Sequence, residues 1–169
     1  LRDAIINDLV VPFKYYGIRD NLVDYGLSAT EERRMIAQLA DEEHCDFIME
    51  QIESHRPQGK LKALAFCRNI THARMMCEAM CEHFHTAYLS GRSDIGERIR
   101  AYNDLQSDSA DLEILFTVDI LNEGVDIPGV NMVLFLRPTE SSTIFIQQLG
   151  RGLRKYENKS YVTVLDFIG

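Results

Sequence analysis

The stretch LEILFTVDILNEGVDIPGVNMVLFLRPTESSTIFIQQLGRGLRK, residues 112–155, decides the fold of this chain. It opens with an apolar run, residues 112–118, which has the length of one buried strand and is too short for a typical helix. A polar turn follows, and a second apolar run extends over residues 130–136. Pro138 ends that run, and the N-cap candidates after it are Ser141, Ser142 and Thr143. The stretch therefore predicts two strands followed by a helix.

Two arginines on that helix indicate either an anion site or a solvated basic helix end. Gln147, Arg151 and Arg154 follow one another at intervals of four and three residues, so they share one helix face. Two guanidinium groups one turn apart suit a phosphate, because each presents a planar fork of charged donors. A basic helix end explains the same spacing, since cations are favoured at a helix C-terminus. The preceding turn favours the phosphate site, because it places Gly124 and Asp126 at the carboxyl end of a strand, where α/β sheets bind ligands.

Upstream of this stretch, strands and helices alternate. Asp94 and Glu97 form a capping-box pattern at the start of one predicted helix, and Thr71 is the N-cap candidate of another. Strands that alternate with helices imply a parallel sheet with helices on both faces. A strand is also predicted in VPFKYYGI, starting at Pro12. The remaining predicted strands are residues 61–67, 85–90, 112–118, 130–136 and 161–167.

These segments resemble the superfamily 2 helicases and translocases of the DEAD/DEAH type. TVDILNEGVDIP (117–128) is similar to their motif V, and QQLGRGLR (147–154) is similar to their motif VI. LKALAFCRNITHA (61–73) is similar to motif IV, and the resemblance continues through residues 88–105 and 161–169. The opening residues 1–20 resemble the connector that enters this lobe in bacterial type III restriction-like helicases.

The resemblance implies an α/β fold, the RecA-like parallel sheet with helices on both faces of a P-loop NTPase-like helicase C-terminal lobe. Residues 57–169 would form this lobe. Residues 1–56 would be the connector from a first lobe together with a helical N-terminal extension. The chain begins with Leu1 instead of methionine, so we expect it to be part of a longer polypeptide.

The resemblance further implies that the chain holds half of an ATP site. Arg151 and Arg154 would contact the γ-phosphate of ATP, with Arg154 as the arginine finger. Gln147 would help to orient the site, and Gly124 and Asp126 would approach the ribose. The phosphate loop and the Mg²⁺ carboxylate would come from the first lobe, because the chain contains no GxxxxGK[ST] motif. We therefore expect no ATPase activity from this chain alone.

Nucleic-acid contacts would come, by the same resemblance, from loops at the carboxyl ends of the strands. Amides and short hydroxyls hold backbone phosphates without reading bases, as a translocating motor requires. Each residue alone has a plainer explanation, which is a loop side chain that satisfies its own backbone. Many relatives carry threonine where this chain has Val118, so the hydroxyl contact of motif V is either shifted by one residue or absent. The candidates are Arg68, Asn69, Ser90, Gly91, Arg92 and Thr117.

Composition limits the function further. The formal net charge of −8 argues against a strong nucleic-acid binder acting alone. No apolar run is long enough to span a bilayer, and no signal-peptide pattern opens the chain, so a cytoplasmic location is expected.

The connector favours DNA over RNA as the partner, while the oligomeric state is open. A catalytically inactive RecA-like module that binds nucleic acid or protein is the alternative function, and an independent small-molecule α/β enzyme ranks below it.

Three patterns in the first half of the chain suggest sites but have structural explanations. Cys77, Cys81 and His85 have zinc-like spacing, although a core-facing helix explains them better. DEEH at residues 41–44 imitates a DExH box, yet it lies within helical sequence and is interpreted as a solvated face. LSAT at residues 27–30 imitates motif III and is interpreted, with Glu31, as the cap of one long helix.

Overall fold

In the computed structural model, residues 13–118, 128–137 and 161–168 are described. Their strands form one parallel sheet in the order β1-β6-β5-β2-β4-β3, with every pairing parallel. Crossovers of this kind need a helix or long segment between consecutive strands. The strands are β1 Phe13–Arg19, β2 Ala63–Phe66, β3 Thr86–Tyr88, β4 Ile114–Thr117, β5 Met132–Phe135 and β6 Val162–Ile168.

Four α-helices accompany the sheet in the described part of the chain: α1 Glu32–Leu39, α2 Glu42–Ser54, α3 Ile70–Met80 and α4 Ile95–Gln106. The capping box predicted at the start of α4 is confirmed, since Asp94 and Glu97 exchange both bonds. The N-cap of α3 is Asn69, two residues before the predicted Thr71.

The single long helix predicted after Ser28 is wrong. A 3₁₀ turn at Ala29–Glu31 leads into α1, which ends at Leu39, and α2 begins at Glu42 after two non-helical residues. Asp41 is the N-cap of α2, and its side chain accepts a hydrogen bond from the backbone N–H of Glu43. The first backbone N–H groups of a helix have no carbonyl partner within the helix. The Asp41 side chain accepts a hydrogen bond from one of them, which favours the start of a new helix at this position.

Helices cover both faces of the sheet, as predicted. Strand residues alternate between the two faces, so Ala63 and Ala65 belong to one apolar cluster while Leu64 and Phe66 belong to the other. The first cluster includes Ile48 of α2 and Met76 of α3. The second includes the α4 residues Tyr102 and Leu105. All four residues of β2, β4 and β5 are buried, which explains why these strands appear as continuous apolar runs in the sequence.

Strand β1 forms one edge of the described sheet. It pairs in parallel with β6 along its whole length of seven residues, matching residues 13–19 with residues 162–168. The hydroxyl of Tyr15 donates a hydrogen bond to the carboxylate of Asp166 on β6. The boundary between residues 56 and 57 remains a prediction, and residues before it contribute β1 to the sheet and α2 to the core.

A buried ionic cluster joins the segment after β1 to the start of α2. The side chains of His44 and Asp20 are 1% and 0% exposed, and His44 Nε2 lies 2.7 Å from Asp20 Oδ2. His44 Nδ1 lies 2.8 Å from the carbonyl oxygen of Leu39, the last residue of α1. Both ring nitrogens therefore lie within hydrogen-bond distance of an oxygen, and Leu39 and Asp20 hold the ring from its two sides. The interpretation of DEEH as a solvated face is wrong for His44, although Asp41, Glu42 and Glu43 are exposed.

The charge of Asp20 is stabilised by its partners. Burial raises the pKa of this carboxyl, but hydrogen bonds from His44 and Tyr25 outweigh burial and leave the pKa below its ordinary value. The Tyr25 hydroxyl donates to Asp20 Oδ2 at 2.6 Å, and the Leu22 N–H donates to Oδ1 at 3.1 Å. Asp20 thus ties the loop after β1 to α1 and α2.

The explanation of the cysteine pattern by a core-facing helix is wrong for Cys81 and His85, which are exposed. Met76 and Met80 are buried, Cys77 is half-buried and Cys81 is exposed, so the helix packs through its methionines more than its cysteines. The Cys77 thiol donates to the Thr86 hydroxyl at 3.4 Å. Among the described residues, no group of three or more His, Cys, Asp or Glu side chains could hold a metal ion. None of the helices built from those residues has the length and apolar character needed to cross a membrane.

Candidate nucleic-acid interface

Three neighbouring strands bring the predicted nucleic-acid residues to one end of the sheet, the end at which the strands have their carboxyl termini. Strands β2, β4 and β3 are adjacent and parallel, so their carboxyl ends lie side by side. Arg68 and Asn69 follow β2, Thr117 ends β4, and residues 90–92 follow β3. This is the end at which open α/β sheets bind ligands.

The loop after β2 is held rigidly by the first turn of α3. Asn69 Oδ1 accepts a hydrogen bond from the backbone N–H of His72 at 2.8 Å, which caps α3. In return, the backbone N–H of Arg68 donates to His72 Nδ1 at 3.0 Å. The positions of the Arg68 and Asn69 backbones are therefore determined by two reciprocal bonds.

His72 holds this loop as a neutral imidazole. Burial lowers its pKa to about 3, and the neighbouring charges of His44 and Arg68 lower it as well. Because Nδ1 accepts from Arg68, the ring proton lies on Nε2. The sequence analysis missed His72; its position three residues after Asn69 at a helix start is the signal that could have revealed it.

Glu32 faces the predicted contact residues directly. Its Oε1 accepts hydrogen bonds from Arg68 Nε at 3.3 Å and from Asn69 Nδ2 at 3.1 Å. The side chains of Arg68 and Glu32 are 28% and 44% exposed, so the ion pair is within reach of solvent. No sequence pattern indicates this contact, because 36 residues separate Glu32 from Arg68.

The loop after β3 uses its hydroxyls on its own backbone. The N–H of Ser90 donates to Ser93 Oγ at 3.1 Å, and the N–H of Arg92 donates to Ser90 Oγ at 3.1 Å. This is the plainer explanation considered for Ser90. The Arg92 side chain is exposed beside a surface groove of about 490 Å³. The groove is lined by Tyr88, Leu89, Ser90, Arg92, Ser93, Glu97 and Ala101.

Gly91 lets the loops after β2 and β3 approach each other. A Cβ atom at this position would lie 2.9 Å from Ile70 Cδ1, the side chain that opens α3. Real Cβ contacts of this length essentially never occur, so any larger residue would push the Ile70 side chain or the loop away. The two predicted binding loops therefore touch each other through Gly91 and Ile70.

Thr117 differs from the other candidates because it is buried. It is 2% exposed, and its carbonyl oxygen accepts the N–H of Cys67 at 2.7 Å. Its role in nucleic-acid binding remains a prediction that requires its hydroxyl to become accessible. The other predicted site residues lie outside the described residues: Gly124, Asp126, Gln147, Arg151 and Arg154.

The family profile of the helicase conserved C-terminal domain matches residues 43–156, which is well over half of the chain. The chain belongs to this family. The match includes β2 to β5, α3 and α4 and the loops that carry Arg68 and residues 90–92. The predicted RecA-like helicase C-terminal fold is thus confirmed.

Among its relatives, this helicase C-terminal domain is similar to irc3 of Schizosaccharomyces pombe, a protein whose name describes a mitochondrial ATP-dependent helicase. The two are 27% identical over 168 residues, which cover 98% of this chain and 27% of that protein. The domain spans less than a third of the length of that protein and of two other curated relatives, IRC3 of Saccharomyces cerevisiae and helicase 22 of a Sulfolobus filamentous virus.

Two solved structures share the fold of the helicase C-terminal domain. A fragment of a type I restriction enzyme HsdR-like subunit from Vibrio vulnificus YJ016 aligns with a TM-score of 0.71 at 19% identity, covering 97% of this chain and 33% of that chain. The ATP-dependent Type ISP restriction-modification enzyme LlaBIII, bound to DNA, aligns with a TM-score of 0.64 at 22% identity, covering 98% of this chain and 12% of that one. At these identities the likeness shows the fold alone.

Proposed function

We propose that this chain is the second motor lobe of an ATP-dependent helicase or translocase that acts on DNA. The observation that carries the proposal is the end of the sheet where β2 and β3 of a helicase C-terminal domain present Arg68, Asn69 and residues 90–92 on two loops that touch each other. The lobe would hold nucleic acid there and would complete an ATP site together with a first RecA-like lobe.

The nucleic-acid grip would work through phosphates. A guanidinium at Arg68 and an amide at Asn69 project from a loop that two bonds to His72 hold in place, so little ordering is required on binding. The exposed Arg92 adds a second cation on the neighbouring loop. None of these groups needs to contact a base edge, which lets the protein move along any sequence.

The ATP half-site is proposed from the motif resemblance and lies outside the described residues. Arg151 and Arg154 would contact the γ-phosphate, with Arg154 stabilising the charge that develops during phosphoryl transfer. Gln147 would orient the site, and Gly124 with Asp126 would approach the ribose. Mg²⁺ would be held by the first lobe, where it would neutralise charge on the β- and γ-phosphates.

DNA is favoured over RNA as the partner. This preference rests on the connector, residues 1–20, which resembles that of type III restriction-like helicases. Binding of matched DNA and RNA oligonucleotides to the complete polypeptide distinguishes the two, and tighter RNA binding would overturn this part of the proposal.

Residues 1–169 alone are expected to hydrolyse ATP no faster than buffer. The physical reason is that the phosphate loop and the Mg²⁺ carboxylate are assigned to the other lobe, so this chain offers only the positive charge of Arg151 and Arg154. A phosphate-release assay with and without single-stranded DNA measures this. DNA-stimulated turnover by the chain alone would contradict the half-site assignment.

Replacing Arg68 with alanine is expected to weaken DNA binding by the complete polypeptide for every sequence tested. One phosphate contact contributes about 0.7–0.9 to the slope of log K against log salt, so the slope should flatten by about one unit at most. Fluorescence anisotropy titrations at several salt concentrations measure both quantities.

Arg56 provides the matched control for Arg68. It also carries an ion pair with a carboxylate, Glu113 at 3.6 Å, but Glu113 precedes β4 and therefore marks the opposite end of the sheet. Arg56→Ala should leave both affinity and salt slope unchanged. Equal effects from the two variants would indicate general loss of positive charge instead of a contact at Arg68.

A further inference from the structure

The carboxylate of Glu32 lies where the proposed function requires a phosphate oxygen. One oxygen, Oε1, accepts from both Arg68 Nε and Asn69 Nδ2. A phosphate of the nucleic-acid backbone would accept from the same two donors, since carboxylate and phosphate oxygens suit guanidinium geometry equally. The two anions cannot occupy the same donors together.

We propose that Glu32 is a specificity-determining residue of the nucleic-acid interface, acting as an internal anion that competes with phosphate for Arg68 and Asn69. The inference rests on the proposed function, because it assigns a role to Glu32 within the same interface. Its effect is to make engagement of these donors depend on displacement of a tethered carboxylate.

The Asn69 donor of this contact is fixed, while the Glu32 acceptor is free to leave. Asn69 cannot turn its amide away without breaking the cap on α3, because its Oδ1 is bound to the His72 N–H. Glu32 lies in the first turn of α1 with a side chain that is 44% exposed. Rotation of that side chain into solvent would release both donors and leave the Asn69 amide in place.

The competition distinguishes long polyanions from short ones. A free phosphate gains little, because it exchanges one anion for another at the same donors. A polynucleotide already held at Arg92 and the loop of residues 90–92 presents its next phosphate at a high effective concentration, which favours displacement of Glu32. Glu32 thus filters out small anions and single nucleotides while admitting a continuous backbone.

The first test compares Glu32→Gln with Glu31→Gln in the complete polypeptide. Both substitutions remove one negative charge at adjacent positions, and glutamine at Glu31 retains the acceptor that bonds to the Ser28 N–H. An exposed ion pair changes an equilibrium by up to about fivefold, so Glu32→Gln should tighten binding of a fluorescein-labelled single-stranded DNA by roughly two- to fivefold. Glu31→Gln should change binding much less.

The same variants are then titrated with a labelled dinucleotide as the short anion. Glu32→Gln should tighten dinucleotide binding by a larger factor than it tightens binding of the long oligonucleotide. The reason is that the dinucleotide is too short to contact the loop of residues 90–92 at the same time. An equal factor for both ligands would overturn the filter.

A double-mutant cycle separates this inference from the proposed function. In an Arg68→Ala background, Glu32→Gln should tighten binding much less than it does in the wild type, because the ion pair is gone and only the bond to Asn69 remains. If Glu32→Gln tightens binding equally in both backgrounds, its effect is long-range and the inference fails. If Arg68→Ala itself leaves DNA binding unchanged, the proposed contact fails. If Arg68→Ala weakens binding while Glu32→Gln matches Glu31→Gln, the inference alone fails.

Discussion

Arg154→Ala in the complete polypeptide is expected to reduce DNA-stimulated ATP hydrolysis by about 10³–10⁵-fold while ATP binding is largely retained. The physical reason is that an arginine finger stabilises negative charge on the transferring phosphoryl group more than it stabilises bound ATP. The effect should therefore fall on kcat and not on KM. Steady-state kinetics with saturating single-stranded DNA measures the two parameters separately.

Arg154→Lys is expected to fail nearly as completely as Arg154→Ala. Lysine keeps the positive charge but replaces a planar fork of donors with a single ammonium, which cannot make two parallel bonds to phosphate oxygens. Lys155→Ala is the control, since it removes a neighbouring charge that has no assigned role. Turnover close to wild type in the lysine variant would contradict the assignment of Arg154 as the finger. Full ATPase activity of the polypeptide with either Arg154 variant would favour the alternative, in which this lobe binds its partner and contributes nothing to catalysis.

Asp20→Ala is expected to lower the free energy of local unfolding around α2 by about 1–3 kcal/mol at neutral pH. The substitution leaves His44 Nε2 buried without its hydrogen-bond partner, and an unsatisfied buried polar group is costly. Hydrogen exchange of the α2 amides in the complete polypeptide reports this opening free energy. Asp46→Ala, an exposed position on α2, should change exchange by much less.

The effect of Asp20→Ala should also depend on pH in one direction. The pKa of Asp20 is lowered in the folded state, so its ionised form contributes stability that is fully present above the unfolded value of about 3.9 and lost as pH falls through the folded value. The contribution of Asp20 should therefore shrink below about pH 4. A difference between wild type and Asp20→Ala that does not shrink below this pH would contradict the lowered pKa of Asp20.

The central strands could be predicted because they depend on local signals, and the common location of the candidate residues could be predicted from the parallel order of the strands. Residues 63–67 and 132–136 are apolar throughout, which is what a strand covered on both faces requires, and the structure buries β2 and β5 completely. The common location follows from topology, since the carboxyl ends of parallel strands meet at one side. The capping box of Asp94 and Glu97 is equally local, and it too is confirmed.

What could not be predicted depends on partners distant in sequence. His44 follows three acidic residues, so the sequence indicates a solvated position, yet Asp20 lies 24 residues earlier and makes burial possible. Glu32 and Arg68 likewise meet only because α1 is brought to the end of β2. The apolar pattern keeps its helical period across residues 40–41, so it does not show that one helix ends and another begins there. The hydrogen bonds that stabilise this junction come from Asp41 and His44, and polar side chains leave the apolar pattern unchanged.

The pairing of β1 with β6 has a mechanical consequence for the proposed motor lobe. A pull on the N-terminal end of β1, directed along the strand axis, would load all the hydrogen bonds between residues 13–19 and 162–168 in shear at the same time. A perpendicular pull would open the same bonds one after another, as a zipper opens, at much lower force. Force along the strand would therefore be transmitted stiffly to the sheet, whereas sideways force would peel β1 from β6.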